Sequence, residues 1–166
     1  MKSVLDYLIN ILDKQLDSYQ ALLLLAKEEQ TLLVKNKYTE LEAVLEKENI
    51  ISDTIEKQDA VRKTCFYELG QHFDVDPETI TIPMLIKLIQ EPFSSRLNNL
   101  YNKLASVINE LNDTNQNNLS LVNNSLDFVQ HTVQSIIMAF MDNKNAYTSE
   151  RDLVTTVKPL MLDFST

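Results

Sequence analysis

An all-α fold, built from long antiparallel helices in a coiled-coil-like bundle, is what this 166-residue sequence predicts. Three observations carry that expectation. The chain holds one Gly and four Pro, too little punctuation for sheets and tight turns but enough for a few long helices. Its apolar residues recur at steps of three and four, the spacing of a buried helix face. Its apolar fraction is 44% with 7% aromatics and no Trp, so the core must be mostly Leu, Ile and Val. Three long helices, one short connector helix and a C-terminal tail helix are expected. They divide into a bundle domain over 1–142 and a flexible or swappable tail over 143–166.

The first helix is expected over 2–35. Leu5, Leu8, Leu12, Leu16, Tyr19, Leu23, Ala26 and Leu33 form a heptad-like seam, with Gln30 in its one gap. A second stripe of Val4, Ile11, Leu22, Leu25 and Leu32 widens the face, which points to two neighbours rather than one. Asn36-Lys37-Tyr38 interrupts the pattern. Thr39 with Glu42 reads as a capping box opening a second helix that runs to about Phe73. Its stripe is Leu41, Leu45, Ile51, Ile55, Cys65 or Phe66, Leu69 and Phe73. Glu48, Gln58 and Arg62 fill the gaps, so its middle should be loosely packed or partly exposed.

Asp76-Pro77 and Ile82-Pro83 mark a connector over 74–92. Met84, Leu85, Leu88 and Ile89 suggest one short helix there, placed to cap the bundle, and Glu91-Pro92 closes it. A third long helix follows over about 93–142. Leu97, Tyr101, Leu104, Ile108 and Leu111 continue as Asn115, Asn118 and Val122, then Leu126, Val129, Val133, Ile136 and Phe140. The extra step of four from Val122 to Leu126 is a stutter. Fifty helical residues measure about 75 Å, whereas the first two helices reach about 50 Å. The third must therefore outrun its partners or span two packing regions. In the tail, Ser149 and Asp152 are candidate caps, and Pro159 would end or kink the helix.

Composition also bounds function. The net charge of −9 disfavours nucleic acid and anionic lipid, which need clustered Lys and Arg. Cys65 is alone, so there is no disulfide framework, which fits a reducing cytosol. Asp6, Asn10 and Asp13 break any signal-peptide pattern, and no apolar run is long enough for a membrane span. No enzyme and no cofactor are expected. His72 and His131 lack a third partner at a suggestive spacing, and Cys65 reads as a small buried hydrophobe. One Gly excludes Gly-rich phosphate loops. A calcium loop starting at Asp74 would need Gly at 79 and Glu at 85, where Thr79 and Leu85 stand. A di-metal bundle needs Glu-x-x-His motifs on two helices, and none is present.

The sequence's main local oddity lies within the third helix. Six Asn fall between 112 and 124, each costing roughly 0.5–0.7 kcal/mol of helix propensity against Ala. Asn117, Asn123 and Asn124 read as solvent-facing. Asn115 and Asn118 lie on the extrapolated seam, with Asn112 one position off it. Two readings stand. Either buried Asn fixes register through hydrogen bonds, or the seam opens there into a wet groove.

The segment Leu111-Asn112-x-x-Asn115-x-x-x-Leu119, continuing to Ser125-Leu126-x-Phe128, resembles the Asn-rich stretch of the FlgN-like flagellar export chaperones. The first helix is similar at Leu8, Leu12, Gln15-Leu16, Tyr19, Leu22-Leu23, Glu29 and Leu32-Leu33. So are Tyr38-Thr39-Glu40-Leu41 with Lys47, the connector Phe73-Asp74-Val75-Asp76-Pro77, and Thr81 to Leu85. The resemblance covers about residues 5–147. Asn112, Asn115, Asn118, Leu119 and Leu126 are the residues that carry it through the third helix. One departure is that Tyr147 is followed by Thr148, Ser149 and Glu150, without the Gly common in the family.

The resemblance implies a cytoplasmic type III export chaperone that holds hook–filament junction proteins of the FlgK and FlgL type through their C-terminal helical regions. The export apparatus is a further expected partner. It also implies that the C-terminal segment binds the client. Leu153, Val154, Val157, Leu160, Met161, Leu162 and Phe164 are then the candidate partner-binding residues, and burying one such side chain is worth roughly 1.5–3 kcal/mol. A tail folded back as a fourth core element is the alternative at this point. At the level of function, the alternatives are a self-associating helical scaffold and a FliT-like filament-cap chaperone. A domain-swapped dimer is compatible with long helices and short connections.

Overall fold

The computed structural model describes residues 1–148, with side-chain surroundings through Met138. Four helices and no strand occur among them: α1 (Lys2–Val34), α2 (Tyr38–Phe73), α3 (Ile82–Leu88) and α4 (Phe93–Thr148). By its internal contacts the chain divides into residues 1–123 and residues 124–166. Within the first unit, Gln58 of α2 meets Ser18 of α1, while Cys65 and Leu69 share a core with Leu5 and Leu8. Helices α1 and α2 are therefore antiparallel. Arg96 pairs with Asp6, and Asn118 reaches Ala26, so α4 runs parallel to α1, as an up-down-up order requires.

The main core gathers Leu5, Leu8, Leu12 and Leu16 of α1 with Cys65 and Leu69 of α2 and Leu97, Leu100 and Leu104 of α4. Ile80, Ile82, Leu85 and Ile89 of the connector belong to the same core, so α3 caps the bundle as expected. Its inward face is Ile82 and Leu85, whereas Met84 and Leu88 are exposed. A smaller cluster of Leu23, Ala26 and Leu111 continues the α1–α4 contact. The second stripe of α1 is used too: Ile11 and Leu32 are buried. No residue of α2 between Leu45 and Thr64 is fully buried, in keeping with its weakly apolar middle.

The turns show why the helices stop where they do. Asn36 (φ 56°) and Asp74 (φ 55°) are both left-handed. Lys37 N–H donates to Leu32 O (3.0 Å) and Val75 N–H to Gly70 O (2.9 Å), the long closing bond of a Schellman motif at each end. Asn and Asp tolerate this conformation better than most residues. The expected Thr39–Glu42 capping box does not form. Helix α2 starts two residues earlier, with Lys37 rather than Thr39 at its N-cap and no side-chain cap bond. The Schellman turn ends at Lys37, so the helix opens before Thr39, and Lys37 instead pairs with Glu40 (2.7 Å).

Gly70 is buried where the connector crosses α2. A Cβ there would stand 2.8 Å from Val75 O and 3.1 Å from the Pro77 Cα. Asp76 shapes the following turn by accepting from Glu78 N–H (3.0 Å). Thr81 Oγ1 accepts from Met84 N–H and caps α3. The Glu91–Pro92 bond is cis. The Glu91 carboxylate accepts from the Ser95 hydroxyl (2.6 Å) and the Ser95 N–H (3.4 Å) in the first turn of α4, and hydrogen bonds from Ser95 and Ser94 hold its pKa below the usual range. Helix α4 continues past residue 142, the end the pattern suggests, to Thr148.

Candidate protein-binding surface

The Asn-rich segment resolves into one inward Asn. Asn118 is 3% exposed. Its Nδ2 donates to Ala26 O (2.8 Å) and to Glu29 Oε2 (2.7 Å), while its buried Oδ1 has no hydrogen-bond partner among the described residues. Glu48 of α2 lies near the same place. Burial and the neighbouring Glu29 charge push its pKa up. Asn118 thus ties α4 to the C-terminal half of α1 beside two acidic side chains.

Asn115 is exposed, contrary to the seam drawn through it, and so is Asn112. Thr114 takes the inward position and donates through Oγ1 to Glu110 O (2.8 Å), satisfying its hydroxyl within its own helix. The buried positions of α4 are Leu97, Leu100, Leu104, Leu111, Thr114 and Asn118. The sequence trace through Tyr101 and Ile108 runs one residue off this line. Those two are half-buried flanks, because α4 has neighbours on more than one side.

Burial then stops. Leu121 and Val122 are half-buried, and every residue from Asn123 to Met138 is exposed. The change coincides with the stutter at Val122 to Leu126. The heptad stripe does not end with it. Leu126, Val129, Val133 and Ile136 continue at steps of three and four, each about half exposed. Phe128 is the most exposed of the large apolar residues here, at 72%. Apolar side chains repeated along one helix face, without burial, are what a protein-binding surface looks like before it is covered.

A concavity lies in the first unit, between α2, the connector and α4. It encloses about 890 Å³ and is lined by Phe66, Tyr67, Pro77, Ile80 and Tyr101, with Arg62 at its edge. Arg62 is already engaged, paired with Asp59 and stacked 5.3 Å from the Phe66 ring centroid. Burial raises the Asp59 pKa, but hydrogen bonds and charge from Arg62 and Lys63 outweigh it and hold the carboxyl low. Cys65 is buried, and burial pushes its thiol pKa up, as suits a packing residue rather than a nucleophile. His72 and His131 are both exposed. Among the described residues no three metal-ligating side chains come together, and no helix is long and apolar enough to cross a membrane.

The family model described as FlgN protein matches residues 1–154. The chain belongs to the FlgN family. Comparison with curated proteins and with solved structures gave no match. FlgN proteins are flagellar export chaperones, a class that binds flagellar proteins rather than turning over substrates. Of the residues that carried the FlgN resemblance through α4, the structure brings Asn118 into contact with α1, and leaves Asn112, Asn115, Leu119 and Leu126 on the surface. Leu153, Val154, Val157, Leu160, Met161, Leu162 and Phe164 lie outside the described residues. Sequence reasoning passed over Thr114, the Glu29–Glu48 pair and the close approach at Gly70. The 126–136 stripe reads as a seam in the sequence; the signal that it lacks cover is the excess length of α4.

Proposed function

We propose that this chain is a cytoplasmic chaperone of flagellar type III export that holds junction proteins of the FlgK and FlgL type, through their C-terminal helical regions, until secretion. The FlgN family match over residues 1–154 carries this reading. Segment 143–166 is proposed as the client-binding tail, distinct from the 1–142 bundle. Its seven large apolar residues, from Leu153 to Phe164, supply the anchors. A helix laid in a groove is read through anchors at this spacing. The export apparatus would receive the complex.

The test is co-purification of the C-terminal region of a junction protein with the full chain and with residues 1–148. The full chain captures it and the truncated one does not. Equal capture by both sinks the tail assignment, and capture by neither sinks the client assignment.

A further inference from the structure

Helix α2 is fastened unevenly along its length. Its inward line runs Leu41, Val44, Glu48, Ile51, Ile55 and Gln58 at steps of three and four. Val44 alone among these is fully buried, at 2% exposure, and it belongs to neither core cluster. The other five are half-buried. Past this line the helix is held firmly: Arg62 stacks on Phe66, and Cys65 and Leu69 lie in the main core.

The two polar members of the line work against closure. Gln58 donates to Ser18 Oγ (3.2 Å), among the described residues the sole side-chain bond from residues 38–58 to α1, and its buried Oε1 has no partner among them. Burial and the Glu29 charge both oppose ionisation of Glu48, so separating α2 from α1 relieves a desolvated carboxyl. Neither Glu29 nor Glu48 has an ion-pair partner among the described residues. On the outer face Glu42 and Glu46 are like charges one turn apart, which weakens the helix itself. A helix of this length without tertiary support is marginal in water. Few buried apolar contacts mark a segment that opens ahead of the core.

We infer that residues 38–58 form a hinged strap, which opens from α1 as one unit while the core beyond Arg62 stays folded. Gln58 stands opposite Ser18 and the helices are antiparallel, so the strap covers α1 from about Leu22 to Leu32. Opening bares Leu22, Leu25 and Leu32, the second apolar stripe of α1, and that face is shown in the open state alone.

Hydrogen exchange of the full chain at neutral pH, read by mass spectrometry, tests this. Amides of residues 42–57 should exchange at least about a hundredfold faster than those of residues 66–72 in the same helix. Leu8→Ala weakens the core, which stays closed when the strap opens. It should speed residues 66–72 by at least about tenfold and leave 42–57 unchanged. Val44→Ala removes the strap's one buried anchor and should speed all of 42–57 by about tenfold, whereas Gln58→Leu should slow them. Equal protection in the two halves of α2 overturns the inference. So does a Leu8→Ala chain in which both halves speed up together, because the strap then leaves only with the whole bundle. A Val44→Ala effect confined to the turn around residue 44 also overturns it, as fraying rather than opening.

Discussion

Replacing Asn118 tests whether this buried polar residue stabilises the bundle or specifies its register. Its Nδ2 makes two hydrogen bonds, one to the neutral Ala26 carbonyl and one to the Glu29 carboxylate. A typical bond contributes about 0.5–1.5 kcal/mol net, and one to a charged group about 1.5–3. Glu29 is half-exposed, so the lower end applies to it. Against these stands the buried, unpaired Oδ1, which costs about 1–3 kcal/mol. Asn118→Ala removes the bonds and the orphan oxygen together and leaves a small void, for a net loss of about 1–2 kcal/mol. At about 2–4 °C per kcal/mol for a chain of this size, Tm should fall by about 2–8 °C. Asn118→Leu also removes both, but fills the site and gains about 1.5–3 kcal/mol of apolar burial. It should fall within about 1 kcal/mol of the wild type. A cycle with Glu29→Gln should show coupling of about 0.5–1.5 kcal/mol. Chemical denaturation of the wild type, the two Asn118 variants, Glu29→Gln and the double variant measures all of this. A Leu variant no better than the Ala variant, or zero coupling, would refute the reasoning.

Other outcomes follow from the same structure. Gly70→Ala gains about 1 kcal/mol of helix propensity, yet its Cβ would press on Val75 O and Pro77; a net destabilisation of about 1–2 kcal/mol is expected by urea denaturation. Leu8→Ala, at a fully buried site, should cost about 2–5 kcal/mol, whereas Val129→Ala should stay within about 0.5 kcal/mol, because its side chain is about half exposed. The raised Glu48 pKa means that the folded chain binds this proton more tightly than the unfolded one. Its contribution is present below the ordinary carboxyl range and is lost as pH rises through the raised value. Glu48→Gln should therefore raise Tm at pH 7 and flatten the pH dependence just above the ordinary Glu range, and an unchanged profile would contradict that cause.

The long helices were legible because their period is set by what must be buried: Leu5, Leu8, Leu12 and Leu16 fall inward at the expected positions. Turn details were less so. The Thr39–Glu42 pair carries a capping signature, but the preceding Schellman turn at Asn36 decides where α2 begins. Asn115 and Thr114 show the finer limit. An extrapolated heptad cannot tell adjacent positions apart when a helix touches two neighbours, and here the Thr hydroxyl is satisfied by its own helix while Asn115 stays in water. Gly70 was invisible because its reason is a crossing backbone rather than a pattern. The family was legible from the order and spacing of motifs and is shown by the match over 1–154.

The central claim is that a client is held by the tail. Calorimetric titration of a junction protein's C-terminal region into the full chain tests it most directly. The account predicts one client per chain, and at least a hundredfold weaker binding when Leu153, Val157 and Leu160 are replaced together by Ala, roughly 3 kcal/mol or more. Unchanged affinity in that triple variant would contradict it.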